Sequence, residues 1–210
     1  MFKGRFICGV LIAAVVAVAS SSPASANMLL NPGFEDGYST NWTRSAGLLD
    51  GTGAGEDPHS GSKSWHGQWY YHGGPQTTTY YQDVPLTEGW TTDSSMWCKA
   101  NAWGGVFGND THSFRLRVTF RNAGGSSLGS YAVNSPQPDD TWQQLVLSDM
   151  EAPVGTTHAR VQFSYITTQM GNAYKVWNID DLSFTAVPEP ASLLILALGG
   201  CLLPARRRRV

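Results

Sequence analysis

Two adjacent carboxylates near the end of the chain, Asp180 and Asp181, are the first residues whose placement points to chemistry. Before them Trp177 and Ile179 share one parity, and after them Leu182 and Phe184 share the other. If both pairs face a core, the strand must slip by one residue at the aspartates. A β-bulge does this, and it re-aims one carboxylate towards the sheet edge. The bland alternative is two solvated acids at a strand end.

A second group of residues suits binding. In Ser113 to Arg121, Phe114, Leu116, Val118 and Phe120 alternate with Arg115, Arg117, Thr119 and Arg121, which places the arginines outward. Residues 158–167 alternate in the same way and turn Arg160 and Gln162 outward. Across 90–99, Met96 and Cys98 are the better core residues, so Trp97 faces out. A tryptophan beside guanidinium and amide donors makes a flat apolar platform with hydrogen-bonding arms. That suits a pyranose, which has a C–H face and a rim of hydroxyls. Trp69, Tyr71 and Trp103 are candidates for the edge of such a site. The competing reading is that the arginines pair with acids across strands and Trp97 packs under a loop.

Reaction chemistry finds little support. His59, His66, His72, His112 and His158 show no metal spacing such as His-x-x-x-His, and neither Gly-x-Ser-x-Gly nor a phosphate-cradling loop occurs. Asp139 and Asp140 lie between Pro138 and Trp142, where a turn is the simpler explanation. No catalytic residue is assigned, and the expectation is a protein that is not an enzyme.

The elements that must hold these residues are almost wholly β. Besides 113–121 and 158–167, strands are expected near 62–70, 78–84, 90–99, 128–133, 142–148 and 174–185, separated by Gly- and Pro-rich turns. No helical period and no internal repeat appears between 27 and 186. The fold class is an all-β antiparallel β-sandwich.

Both ends read as processing segments. Lys3 and Arg5, an apolar run from Phe6 to Ala19, and Ala24-Ser25-Ala26 describe a secretory signal peptide over residues 1–26, cut after Ala26. At the other end Pro188-Glu189-Pro190 precedes 13 uncharged residues, Ala191 to Leu203, and then Arg206, Arg207, Arg208 and Arg209. As a helix that run covers about 20 Å, short of the ~30 Å hydrocarbon core, so it suits transient retention better than a lasting anchor. The arginines hold the end in the cytoplasm. The domain proper is then 27–186.

Removing the ends changes the charge. Six of the 14 basic residues and one of the 16 acidic residues lie in them, which leaves 8 against 15, a net of −7. Nucleic acid and anionic lipid call for basic footprints and are excluded as main partners; the membrane is met only through the C-terminal helix before processing. Cys98 is the one cysteine between the ends, so no disulfide can form within the domain; it suits the core as a small hydrophobe.

The C-terminal pattern over 187–210 resembles the PEP-CTERM sorting signal of Gram-negative bacteria. That resemblance implies recognition at Pro188-Glu189-Pro190 by a membrane exosortase, after signal peptidase has acted. It further implies export to the cell surface or extracellular matrix, often within exopolysaccharide. The domain resembles the galactose-binding-like jelly roll of the family 4 and 9 carbohydrate-binding modules. The pieces that carry this are Asn31-Pro-Gly-Phe-Glu-Asp-Gly37, His59-Ser-Gly-Ser-Lys-Ser64, Tyr81-Gln-Asp-Val-Pro-Leu-Thr-Glu-Gly89 and Val176-Trp-Asn-Ile-Asp-Asp-Leu-Ser-Phe184. This second resemblance implies non-catalytic binding of polysaccharide. It also implies a structural Ca²⁺ held by Asp180, Glu35, the Gly33 and Lys63 carbonyls, and Glu56 or Asp57, an all-oxygen set suited to that ion. The alternative is a structural matrix protein without specific sugar binding.

Overall fold

The structure, a computed structural model, describes residues 26–37, 40–46, 51–54, 57–69, 76–102, 112–136, 139–167 and 175–188. Apart from Val187 and Pro188 these belong to one compact unit, Ala26–Ala186. Glu189, Pro190 and Arg206 to Arg209 lie outside the described residues, as do the apolar runs at both ends; Ala26 and Pro188 are exposed and outside any strand.

The chain is an all-β sandwich of two antiparallel five-stranded sheets, with no helix among the described residues. The strands are β1 (Thr43–Ala46), β2 (Gly51–Ala54), β3 (Trp65–Trp69), β4 (Gln76–Pro85), β5 (Thr91–Ala102), β6 (His112–Arg121), β7 (Ser127–Asn134), β8 (Gln143–Glu151), β9 (His158–Thr167) and β10 (Lys175–Val187). The front sheet runs β1-β4-β9-β6-β7 and the back sheet β2-β3-β10-β5-β8. Eight of the ten strands lie where the sequence places strands. The two it misses, β1 and β2, are short and carry little apolar signal.

The core between the sheets is rich in aromatic residues, because β6, β9, β5 and β10 send alternate large side chains inward. Phe114, Leu116, Val118 and Phe120 from β6, and Val161 and Phe163 from β9, are buried against Trp65, Trp177, Ile179, Met96 and Cys98 from the back sheet. Burial pushes the Cys98 thiol up to about 12, so it packs as a hydrophobe and is not a nucleophile at neutral pH. Trp177 stacks on Tyr165 with centroids 3.9 Å apart. It lies directly across from Gly67, where a Cβ would overlap the indole nitrogen. A side chain at 67 and the indole cannot share that space.

The expected slip in the last strand is present. Trp177 and Ile179 are buried, as are Leu182 and Phe184, and Asp181 between them takes a φ of +47°. Beyond the slip, residues 27–32 run beside β10. Met28 N–H donates to the Phe184 carbonyl at 2.8 Å, and Leu182 N–H to the Pro32 carbonyl at 3.1 Å. The Asn27 side chain donates to the Leu182 carbonyl at 2.8 Å and accepts from Phe184 N–H at 3.0 Å.

Candidate functional site

The aspartates freed by the bulge meet the loop that precedes β3. Asp180 is fully buried, and its Oδ2 accepts from the His59 and Ser60 N–H groups at 2.9 and 3.2 Å. Its Oδ1 accepts from Asp181 N–H at 2.8 Å. Burial lifts the Asp180 carboxyl to about 6 against the pull of these N–H donors, with the neighbouring Asp181 charge adding to the rise. Asp181 in turn holds the Ser60 hydroxyl and His59 Nδ1, both at 2.7 Å.

Glu35 clasps the same loop from the other side. Its Oε1 accepts from Ser62 and Lys63 N–H at 2.9 and 3.0 Å, and its Oε2 from the Ser62 hydroxyl at 2.6 Å. Those bonds, led by the Ser62 hydroxyl, hold the Glu35 carboxyl below its usual range. Gly61 permits the approach. Its φ is +65°, and a Cβ there would overlap Glu35 Oε1.

The structure thus gathers Gly33, Glu35, Lys63 and Asp180 about one loop; a Cβ on Gly33 would lie 3.6 Å from Asp180 Oδ1. Every carboxylate oxygen of Glu35 and Asp180 accepts from an N–H or O–H of the protein, so the loop is clasped by direct hydrogen bonds. Asp180 Oδ1 and Glu35 Oε2 accept one such bond each, and each keeps a lone pair that a cation could use. Asp57 is engaged elsewhere, with Lys99, and Glu56 lies outside the described residues. Among the described residues no group of three or more His, Cys, Asp or Glu is placed to hold a metal ion.

Trp97 faces out of β5, with Met96 and Cys98 buried on either side of it, but it faces out of the back sheet. His59 covers its ring at 4.0 Å, nearly parallel, and Trp142 packs edge-on to His59 at 5.3 Å. Lys99, only 4% exposed, sits 4.8 Å from the Trp142 ring centroid and pairs with Asp57. Trp97 is therefore packed under a loop and is no open platform. Arg115, Arg117 and Gln162 belong to β6 and β9 in the front sheet. The platform expected from Trp97 together with the arginines is not assembled, because the two lie on opposite outer faces.

The front face is coherent without Trp97. Register alignment makes Thr43, Tyr81, Gln162, Arg117 and Ala132 one row across all five strands. Arg115, Ser164 and Thr79 form the next row, with Asn134 at its end. Strands lie about 4.8 Å apart, so a row of five spans roughly 19 Å. Arg115 Nε donates to Asn134 Oδ1 at 2.7 Å, and Gln162 Nε2 to the Ser164 hydroxyl at 3.3 Å. Arg117 Nε is buried without a hydrogen-bond partner. Arg160 lies over the Tyr81 ring at 3.7 Å and forks onto Asp83 at 2.8 and 2.7 Å. Its bonds hold Asp83 below the usual carboxylate range.

Tyr81 is the residue that sequence reasoning left out of the site. The signal was present: Tyr80 and Tyr81 are adjacent aromatics in an alternating strand, so one of them must face out. Trp103 and Tyr71 lie outside the described residues, and of Trp69 only the backbone, at the end of β3, is described.

No family model matches the chain, and no curated protein matches it. Solved structures do. TmCBM61, determined in complex with β-1,4-galactotriose, is 20% identical, with a TM-score of 0.51 over 76% of this chain and 98% of its own. A protein described for the promiscuous specificity of carbohydrate-binding modules of the β-sandwich superfamily is 16% identical, with a TM-score of 0.52 over 79% of this chain and 63% of its own. The enzymatically active domain of tailspike protein 4 from bacteriophage CBA120 is 15% identical, with a TM-score of 0.54; 76% of this chain matches 21% of that one. These likenesses show the fold alone, a β-sandwich.

Proposed function

We propose that the protein binds carbohydrate without catalysis, through the outer face of the front sheet. The observation that carries this is the row Tyr81–Gln162–Arg117 on three adjacent central strands, an aromatic, an amide and a guanidinium side by side. Arg115 flanks it with a further guanidinium, while Thr79 and Ser164 of Arg115's row are buried and bonded to each other at 2.9 Å. One similar module was determined with β-1,4-galactotriose, which agrees with this use of the fold. The signal-peptide pattern and Pro188-Glu189-Pro190 with its arginine cluster support export and exosortase sorting to the surface or matrix of a Gram-negative cell. A glycan array followed by affinity electrophoresis of the full chain tests the reading. Retention on a polysaccharide that is lost in Gln162→Ala supports it. If no glycan is retained, a structural matrix protein is the remaining reading.

A further inference from the structure

The charge on the front face runs against the charge of the domain. Between residues 27 and 186 the net charge is −7, yet four of the eight basic residues there, Arg115, Arg117, Arg121 and Arg160, project from β6 and β9 onto this one face. Among the described residues of the same face there is a single carboxylate, Asp83, and Arg160 holds it in a two-point fork. Arg121 reaches the Gly125 carbonyl through Nη1 at 3.0 Å, and Arg115 uses Nε on a neutral amide. Neither interaction neutralises a guanidinium. Arg117 stands opposite Ala132, whose short side chain offers it nothing.

We infer that this face selects an acidic polysaccharide, one whose uronate carboxylates dock on Arg115 and Arg117 while its hydroxyls meet Gln162. The inference rests on the carbohydrate-binding reading above and narrows it to a substrate class. Guanidinium forks match planar carboxylates with two parallel hydrogen bonds, and the Arg160–Asp83 pair realises that geometry on the same face. Arg115 and Arg117 stand two residues apart on one strand, about 7 Å along it. Two forks at that spacing suit a polymer whose carboxylates recur along the chain. A neutral glycan would leave both guanidiniums without a counter-charge.

Affinity electrophoresis of the full chain tests this, in gels containing polygalacturonate, its methyl ester, neutral galactan or dextran sulfate. The expected result is retention on polygalacturonate that weakens at least about tenfold on esterification and in Arg117→Gln, with partial recovery in Arg117→Lys. Added salt should weaken it further. Equal retention on the ester and the free acid, with Arg117→Gln unchanged and Gln162→Ala impaired, overturns the acidic preference and leaves carbohydrate binding standing. Dextran sulfate held as tightly as polygalacturonate, with Arg117→Lys harmless, reduces the effect to unspecific charge and also overturns the inference. No retention on any of the four polymers, nor on any glycan of the array, removes the carbohydrate reading itself.

Discussion

His59 lies flat on Trp97, with ring centroids 4.0 Å apart and planes 15° from parallel. Its Nδ1 is tied to Asp181 at 2.7 Å, so the stack is held from the bulge as well as from the sheet. Trp97→Ala should therefore act on stability. A loss of about 2 kcal/mol is expected, below the ~3–5 kcal/mol of a fully buried tryptophan, with glycan retention unchanged. Chemical denaturation and affinity electrophoresis on the same sample check both halves. A stable variant that no longer binds would return Trp97 to the binding site.

Gln162→Ala should do the opposite. The side chain stands on an outer face, where substitutions usually cost within ~0.5 kcal/mol. Retention should fall roughly tenfold, the value of one good hydrogen bond in a site that needs it. A large drop in denaturation midpoint with full retention contradicts the front-face assignment.

The clasp around residues 59–63 gives a test that separates carboxylates from metal. A cation bound by the folded state alone would make the melting temperature fall on chelation. With Glu35 and Asp180 bonded directly to the loop, EDTA should leave the melting curve unmoved. Asp180→Ala should still cost about 3 kcal/mol, because three backbone N–H groups lose their acceptor. A chelator-sensitive melting temperature would show that an ion is bound there as well, as the calcium expectation has it.

The Asp83–Arg160 fork predicts a pH dependence with a definite sign. Hydrogen bonding from Arg160 lowers Asp83 below its ordinary 3.8. A carboxyl whose pKa falls on folding adds stability above that ordinary value and loses it as the pH drops through the folded one. Asp83→Asn should therefore lower the melting temperature slightly at pH 7, and the difference from wild type should shrink below pH 4. An equal deficit at pH 7 and pH 3 would assign the effect to packing.

Gly67→Ala probes the packing behind the face. The new methyl would occupy the position of the Trp177 indole nitrogen, so the core must shift, at about 1–3 kcal/mol. Near-ultraviolet circular dichroism should report the displaced Trp177–Tyr165 stack. An unchanged spectrum and midpoint would show that the indole has room to move.

The sequence alone carries the β class, the approximate positions of eight strands, the inward parity of β5, β6, β9 and β10, and the slip at Asp180–Asp181. These are local: alternation has a period of two and reads out from a few neighbouring residues. It also placed Trp97, Arg115, Arg117 and Gln162 outside the core. Which of the two outer faces each one occupies is set by the folded sheets. A sandwich has two outer faces, and sheet membership depends on pairing between distant strands, such as β6 with β9 and β5 with β8. Local parity cannot encode that, so Trp97 was grouped with arginines that lie on the far face, and Tyr81, their true neighbour, went unselected. The same limit holds for Glu35 and Asp180. Their types suit a cation, but that Asp180 also accepts from backbone N–H groups is decided by a loop over 100 residues before it.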